Sequence, residues 1–173
     1  MKKLFLLGLA TIVFVACQNQ PQRYTQSSPE IDTFKSLIKD YNEKNYESLV
    51  GHYSDTSKTS FNKNRMASSD IPEYHKANDA NYSSRGFVDD GQEYEMVIDD
   101  EGKTWVNFWG TWKCILAANS KAITMPIHLT ARFIDGKIVE DYGYWDPTEV
   151  ITNLEEIEAA KDESEAVAED TEE

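Results

Sequence analysis

The stretch from Lys121 to Pro147, KAITMPIHLTARFIDGKIVEDYGYWDP, leaves this chain little choice of fold. Alternating apolar residues run up to an Asp135-Gly136 pair and away from it again. A pair of that type adopts the positive φ angles that a two-residue hairpin turn needs, so two long antiparallel strands are predicted. On the first strand Ile123, Met125, Ile127, Leu129, Ala131 and Phe133 are apolar, whereas Thr124, His128, Thr130 and Arg132 are polar. A period of two assigns the first set to a buried inner face and the second to an outer face. His128 is therefore expected at the surface or a subunit contact rather than in a catalytic site. On the second strand the same register turns Val139, Asp141, Gly143 and Trp145 inward, and Glu140, Tyr142 and Tyr144 outward.

More strands precede the hairpin. Residues 93–98 alternate, Asp99-Asp100-Glu101-Gly102 reads as a turn, and residues 103–117 form a long strand whose alternation sets Trp112 opposite Trp105 and Trp109. Together with the hairpin this makes an antiparallel meander. Helices come first. Ile31, Phe34, Leu37, Ile38 and Tyr41 fall at helical spacing, and a second short helix carries Tyr46, Leu49, Val50 and Tyr53 on one side. The Ser/Thr/Asn-rich residues 54–64 are expected as loop or short irregular strand. Asp70 or Ser69 caps a third helix over residues 73–83, with Pro72 in its first turn. After Pro147 a short helix covers residues 148–160. Helices followed by a curved antiparallel sheet give an α+β domain over residues 30–160.

The chain of 173 residues carries a net charge of −14, which argues against nucleic acid or bare anionic lipid as a partner. Much of the excess sits at the end: from Glu155 onward there are ten acids against the single Lys161, and residues 161–173 are expected to be a disordered acidic tail. The other end reads as a targeting segment. Lys2 and Lys3 precede an apolar run from Leu4 to Ala16, of signal-peptide length. Ala16-Cys17 after Phe14-Val15 resembles the lipobox of bacterial lipoproteins, which implies that residues 1–16 are removed and Cys17 is acylated, anchoring the protein to a membrane. Gln18 after the cysteine resembles the outer-membrane sorting signal of enteric bacteria, so the expected location is the cell envelope at the outer membrane. Polar residues 17–29, with two prolines, would be the tether. Cys114, the other cysteine, is expected to be a small buried residue.

The helix pair FKSLIKDYNEKNYESLVGHYSD and the terminal ARFIDGKIVEDYGYWD resemble the nuclear transport factor 2-like superfamily, the cone-shaped α+β barrel that includes SnoaL-like polyketide cyclases and ketosteroid isomerases. The resemblance implies N-terminal helices packed in a curved antiparallel sheet around a cavity. Leu37, Tyr41, Tyr53, Met125, Ile127, Leu129, Phe133, Asp141 and Trp145 would line it. It also implies a homodimer through the convex face of the sheet, with His128, Thr130 and Arg132 at the contact.

Asp141 is the informative residue. A carboxylate facing an apolar cone would be desolvated and its pKa raised, which suits a general acid/base or the recognition of a ligand donor; at an open rim it would instead be hydrated or paired. The positions that hold the isomerase's tyrosine, protonated acid and base correspond here to Leu37, Leu129 and Phe61, none of which can move a proton. The histidine-aromatic-aspartate run of the cyclases corresponds to Asp141-Tyr142-Gly143, in which Asp141 replaces the histidine and Gly143 lacks the catalytic carboxyl; Asp146 just beyond is expected as a strand-end cap or a partner for the Pro147 turn. His52, His75 and His128 stand apart, with no metal-ligand spacing and no cofactor motif around them. The residues favour a binding cone for a small apolar or aromatic ligand or a protein partner, with a SnoaL-like cyclase, isomerase or hydrolase using Asp141, helped by Tyr41 or Tyr53, as the alternative. A third reading is a scaffold whose cone is filled by its own aromatics.

Overall fold

The computed structural model describes residues 22–170. The signal-like segment, Cys17 and the last three residues lie outside the described residues. The expectations made for them do too.

The Asp135-Gly136 turn forms as the sequence requires, with φ of 50° and 74°. It joins β7 (Ala122–Ile134) to β8 (Lys137–Tyr144). Strand β7 also pairs along its other edge with β6 (Thr104–Leu116), so the meander is present. Strand β5 (Glu93–Ile98) continues it antiparallel to the first half of β6. Ile123, Met125, Ile127, Leu129, Ala131 and Phe133 are all buried, at 8% exposure or less. One residue departs from strict alternation. Phe133 pairs with Ile138 while Arg132 pairs with Glu140, so Val139 is the extra residue of a bulge, and Ile138 takes the fully buried place expected for Val139. Beyond the bulge the alternation resumes, and Asp141 and Gly143 face inward.

Residues 54–64, expected as loop or short irregular strand, are strand: nine-residue β2 (Tyr53–Phe61), with a register shift between Tyr53 and Lys58, followed by β3 (Asn64–Ala67). Strand β2 runs parallel to β8, the one parallel pair among the described residues, and sets Thr59 beside Asp141. Its inward positions Tyr53, Ser57, Thr59 and Phe61 are buried, the serine bonded to Ser54 O at 2.6 Å and Ser68 Oγ at 2.5 Å. Those partners let hydroxyls stand where a strand pattern normally shows aliphatics. Within the tether, β1 (Tyr24–Thr25) pairs with β5, so the domain begins before Glu30.

Helix α1 (Pro29–Asn42) starts where Pro29 fits the first turn and Ser28 Oγ accepts from the Ile31 N–H. Its face of Ile31, Phe34, Leu37 and Ile38 is buried. Phe34 meets Phe108 and Tyr94, and Phe87 stacks edge-on against Phe108, so one end of the cone is filled with aromatic rings. Helix α2 (Tyr46–Gly51) follows, and Tyr53 belongs to the next strand rather than to this helix. Helix α3 (Ile71–Asp79) has Asp70 at its N-cap position, but no side chain closes the cap there. It ends four residues short of Ser83. Tyr82–Phe87 is strand β4, laid antiparallel on the second half of β6. Pairing with the long free edge of β6 outweighs the local helix tendency of residues 80–83.

Helix α4 (Thr148–Asp170) begins beside Asp146, whose Oδ1 accepts from the Thr148 N–H and hydroxyl at 3.0 and 2.5 Å across the Pro147 turn. Its first turns bury Val150 and Asn153 over the sheet. The helix continues past Ala160 through residues expected to be disordered. Alanine and glutamate are strong helix formers and nothing in that run breaks a helix. Among the described residues no helix is long and apolar enough to cross a membrane.

Candidate functional site

The open end of the cone holds a cavity of about 760 Å³. Leu37, Tyr41, Tyr53, Met125, Ile127, Leu129, Asp141 and Trp145 line it. Phe133 does not. It is buried beside the bulge opposite Ile138, where it belongs to the packed core rather than the cavity wall. The mouth is rimmed by the exposed Asn62-Lys63-Asn64 turn and by Asp146, Pro147 and Ile151 at the start of α4.

Asp141 sits on β8 between Ala131 of β7 and Thr59 of β2, and is only 3% exposed. Tyr53 Oη donates to its Oδ2 at 2.7 Å. Its Oδ1 is buried and has no hydrogen-bond partner. Burial pushes the Asp141 pKa up to about 6, against the opposing pull of the Tyr53 hydroxyl and, more weakly, of the Tyr142 backbone N–H. Burial and the adjacent carboxylate together raise the Tyr53 phenol well above its ordinary value. One carboxyl thus faces an apolar space with one of its oxygens unpartnered, and it is buried rather than hydrated at a rim.

The neighbouring inward position is Gly143. A β-carbon there would lie 2.7 Å from Trp145, 2.9 Å from Leu129 and 2.9 Å from Phe61. The space that a side chain at position 143 would need is therefore occupied by two aromatic rings and a leucine. Phe61 and Trp145 lie against each other at 5.6 Å between centroids. Leu37, Leu129 and Phe61 all face the same cavity.

Sequence reasoning missed the side of the cavity built by α3. Ile71, Tyr74, His75 and Asn78 stand at i, i+3, i+4 and i+7, and that spacing is the signal that puts His75 on the inner face. Its ring packs against Tyr41 at 4.9 Å, Tyr74 at 5.3 Å, Tyr46 at 5.7 Å and Phe61 at 5.9 Å. Burial, reinforced by the Arg85 guanidinium and opposed by Asp79, pulls the His75 pKa down to about 4, so the imidazole is neutral at physiological pH. Behind it Arg85 is fully engaged. It donates to Asp79 at 2.7 Å, to the Tyr41 carbonyl at 2.5 Å and to the Tyr46 hydroxyl, which itself donates to Asp79 at 2.5 Å. Its guanidinium lies 4.0 Å from the centre of the Tyr41 ring, and Trp112 Nε1 donates to the Tyr41 hydroxyl at 2.9 Å. This network fixes Tyr41 as part of the wall.

His128 points outward, with Nδ1 donating to the Phe108 carbonyl at 3.1 Å and its ring stacked between Trp109 and Tyr144. Cys114 is buried. Among the described residues no group of three or more His, Cys, Asp or Glu side chains is placed to hold a metal ion.

No family model matches the sequence, and no curated protein matches it either. Solved structures do. PrhC from Penicillium brasilianum superimposes with a TM-score of 0.63 at 13% identity over 80% of this chain and 93% of its own. An NTF2-like protein of unknown function from Burkholderia pseudomallei gives 0.60 at 11% identity, over 73% and 97%. A SnoaL-like polyketide cyclase from Agrobacterium tumefaciens gives 0.55 at 13% identity, over 74% and 99%. The meander, the helices lying across it and the cavity at the open end are those of one architecture: the domain has the nuclear transport factor 2-like fold of the SnoaL-like proteins.

Proposed function

We propose that the cone is a binding domain for a small, mainly apolar or aromatic ligand, on a protein anchored in the cell envelope through lipid on Cys17. The observation that carries the reading is the cavity itself. At about 760 Å³ it lies well inside the range of small-molecule sites, roughly 300 to 1,000 Å³, and its wall is apolar apart from a few convergent polar groups. A cone filled by its own aromatics would leave far less space. Full-length protein purified in detergent and examined by native mass spectrometry should carry a small molecule that organic extraction releases. A protein of bare mass, with no ligand recovered from any growth condition, would sink the reading. Acylation is tested in the same preparation, because Cys17→Ala should abolish incorporation of labelled fatty acid and release the protein from the membrane fraction.

A second reading is favoured by one specific observation, the raised pKa of Asp141 beside the Tyr53 hydroxyl. A carboxyl that titrates near neutrality in an apolar site suits a general acid/base, so a SnoaL-like cyclase, isomerase or hydrolase is the alternative. Asp141→Asn separates the two: retained affinity with lost turnover supports catalysis, and parallel loss supports recognition. The convex face, with Trp109 and Tyr144 each at least 40% exposed, is the surface we propose for a homodimer contact.

A further inference from the structure

We propose that the cavity is selective for an organic cation, a protonated amine carried on an apolar body, whose N–H donates to Oδ1 of Asp141 while the groups around the nitrogen lie on the Phe61 and Trp145 rings. This rests on the cavity being a ligand site and names the chemistry of what enters it. Three features of the wall converge on that class.

The first is the unpartnered carboxylate oxygen. Tyr53 satisfies Oδ2, but Oδ1 is buried with no donor. Leaving a charged oxygen in that condition is expensive, and a ligand donor relieves it. The second is the missing counter-charge. Among the described residues that line the cavity, the one basic side chain in charged form is Lys63, on the exposed turn at the mouth. His75 is neutral, and Arg85 stands behind Tyr41 with its donors given to Asp79, Tyr46 and the Tyr41 carbonyl. A neutral hydroxyl on a ligand would complete the hydrogen bond and leave the charge unbalanced. An ammonium N–H does both. The third is the ring surface next to the carboxylate. Trp145 and Phe61 close over Gly143, one inward position from Asp141, and aromatic faces attract cations through their quadrupole. The net charge of −14 adds a favourable long-range field for a positively charged ligand.

The test uses a matched pair of probes on full-length protein in detergent at neutral pH: N,N-dimethylbenzylamine, and isobutylbenzene, its uncharged carbon isostere. Dissociation constants are measured by equilibrium dialysis for wild type and Asp141→Asn. The expected result is that wild type prefers the amine by about tenfold or more and that the asparagine variant binds both probes alike. Equal binding of the two probes to wild type overturns the inference while leaving the apolar cavity intact as a ligand site. Binding of neither probe overturns it together with the cavity reading. A preference for the amine that survives in Asp141→Asn also overturns it, since the selectivity would then lie elsewhere. Were the variant unable to fold, the wild-type comparison alone would still decide.

Discussion

Replacing Asp141 by asparagine should make the protein more stable, and more so at higher pH. The carboxyl is raised from its ordinary value of 3.8 to about 6. In the folded protein it therefore holds its proton more tightly than in the unfolded chain, so its contribution is most favourable below about pH 4 and is lost as the pH rises through about 6. The interval between the two values corresponds to about 3 kcal/mol of destabilisation once Asp141 is charged. Asparagine keeps an acceptor for the Tyr53 hydroxyl and removes the charge, but its amide N–H₂ occupies the place of Oδ1, where no partner waits, at a cost of about 1 kcal/mol. The net gain is about 2 kcal/mol, or about 4 to 8 °C in Tm for a domain of this size. Thermal and urea denaturation of both proteins from about pH 4 to pH 8 isolates the group, because every other titration cancels in the difference. The gain should shrink as the pH falls through 6 and vanish or reverse near 4. A variant that is less stable than wild type by the same amount at every pH would refute the argument, because it would mean that the carboxylate has a good partner in the folded state.

Tyr53→Phe removes the hydrogen bond to Oδ2 of Asp141, so the carboxyl should titrate higher than about 6; a ¹³C carboxyl titration with an unchanged midpoint would count against the geometry. Gly143→Ala forces a β-carbon into Trp145, Leu129 and Phe61, and should cost about 1 to 3 kcal/mol in urea denaturation while shifting tryptophan emission. Arg85→Ala leaves Asp79 and the Tyr41 carbonyl without their shared donor and should cost about 3 kcal/mol or more at neutral pH. The Asp79 carboxyl is held below 3.8 despite partial burial, chiefly by its bonds to Arg85 and Tyr46, so the pairing stabilises above that pH and is lost below it. The Arg85→Ala deficit should therefore narrow in acid, as read by denaturation at each pH.

What the sequence made legible follows from where each interaction lies along the chain. The hairpin could be read because its turn chemistry and its alternation are local, and the inner face of α1 because its apolar spacing is regular. Strand β2 could not, since its partner β8 is some eighty residues distant and its buried positions include Ser57 and Thr59. Hydroxyls look like loop until their partners are known. Val139 was misplaced because a bulge leaves no mark on a two-residue period, yet the same bulge left the inward direction of Asp141 unchanged. Phe133 shares the inner face with the cavity residues, and only the packing around the bulge shows that it is core. His75 became part of the site because α3 lies over the sheet, a tertiary fact that a lone histidine cannot announce. The acidic end of α4 is a contest between composition and helix propensity, and in the structure propensity prevails through Asp170.

Strand β1 is two residues long, but it would shorten any leash from a lipid on Cys17. Arg23 is bonded to the Ile98 carbonyl and Tyr24 is paired to Val97, and Cys17 precedes Arg23 by six residues, a number that can span at most about 20 Å. An acylated Cys17 would then keep the β1–β5 edge within roughly that distance of the bilayer surface and restrict how far the domain can turn. Amines on apolar bodies partition into the same interfacial layer. A cone moored this closely would meet them at their membrane concentration rather than their far lower concentration in solution.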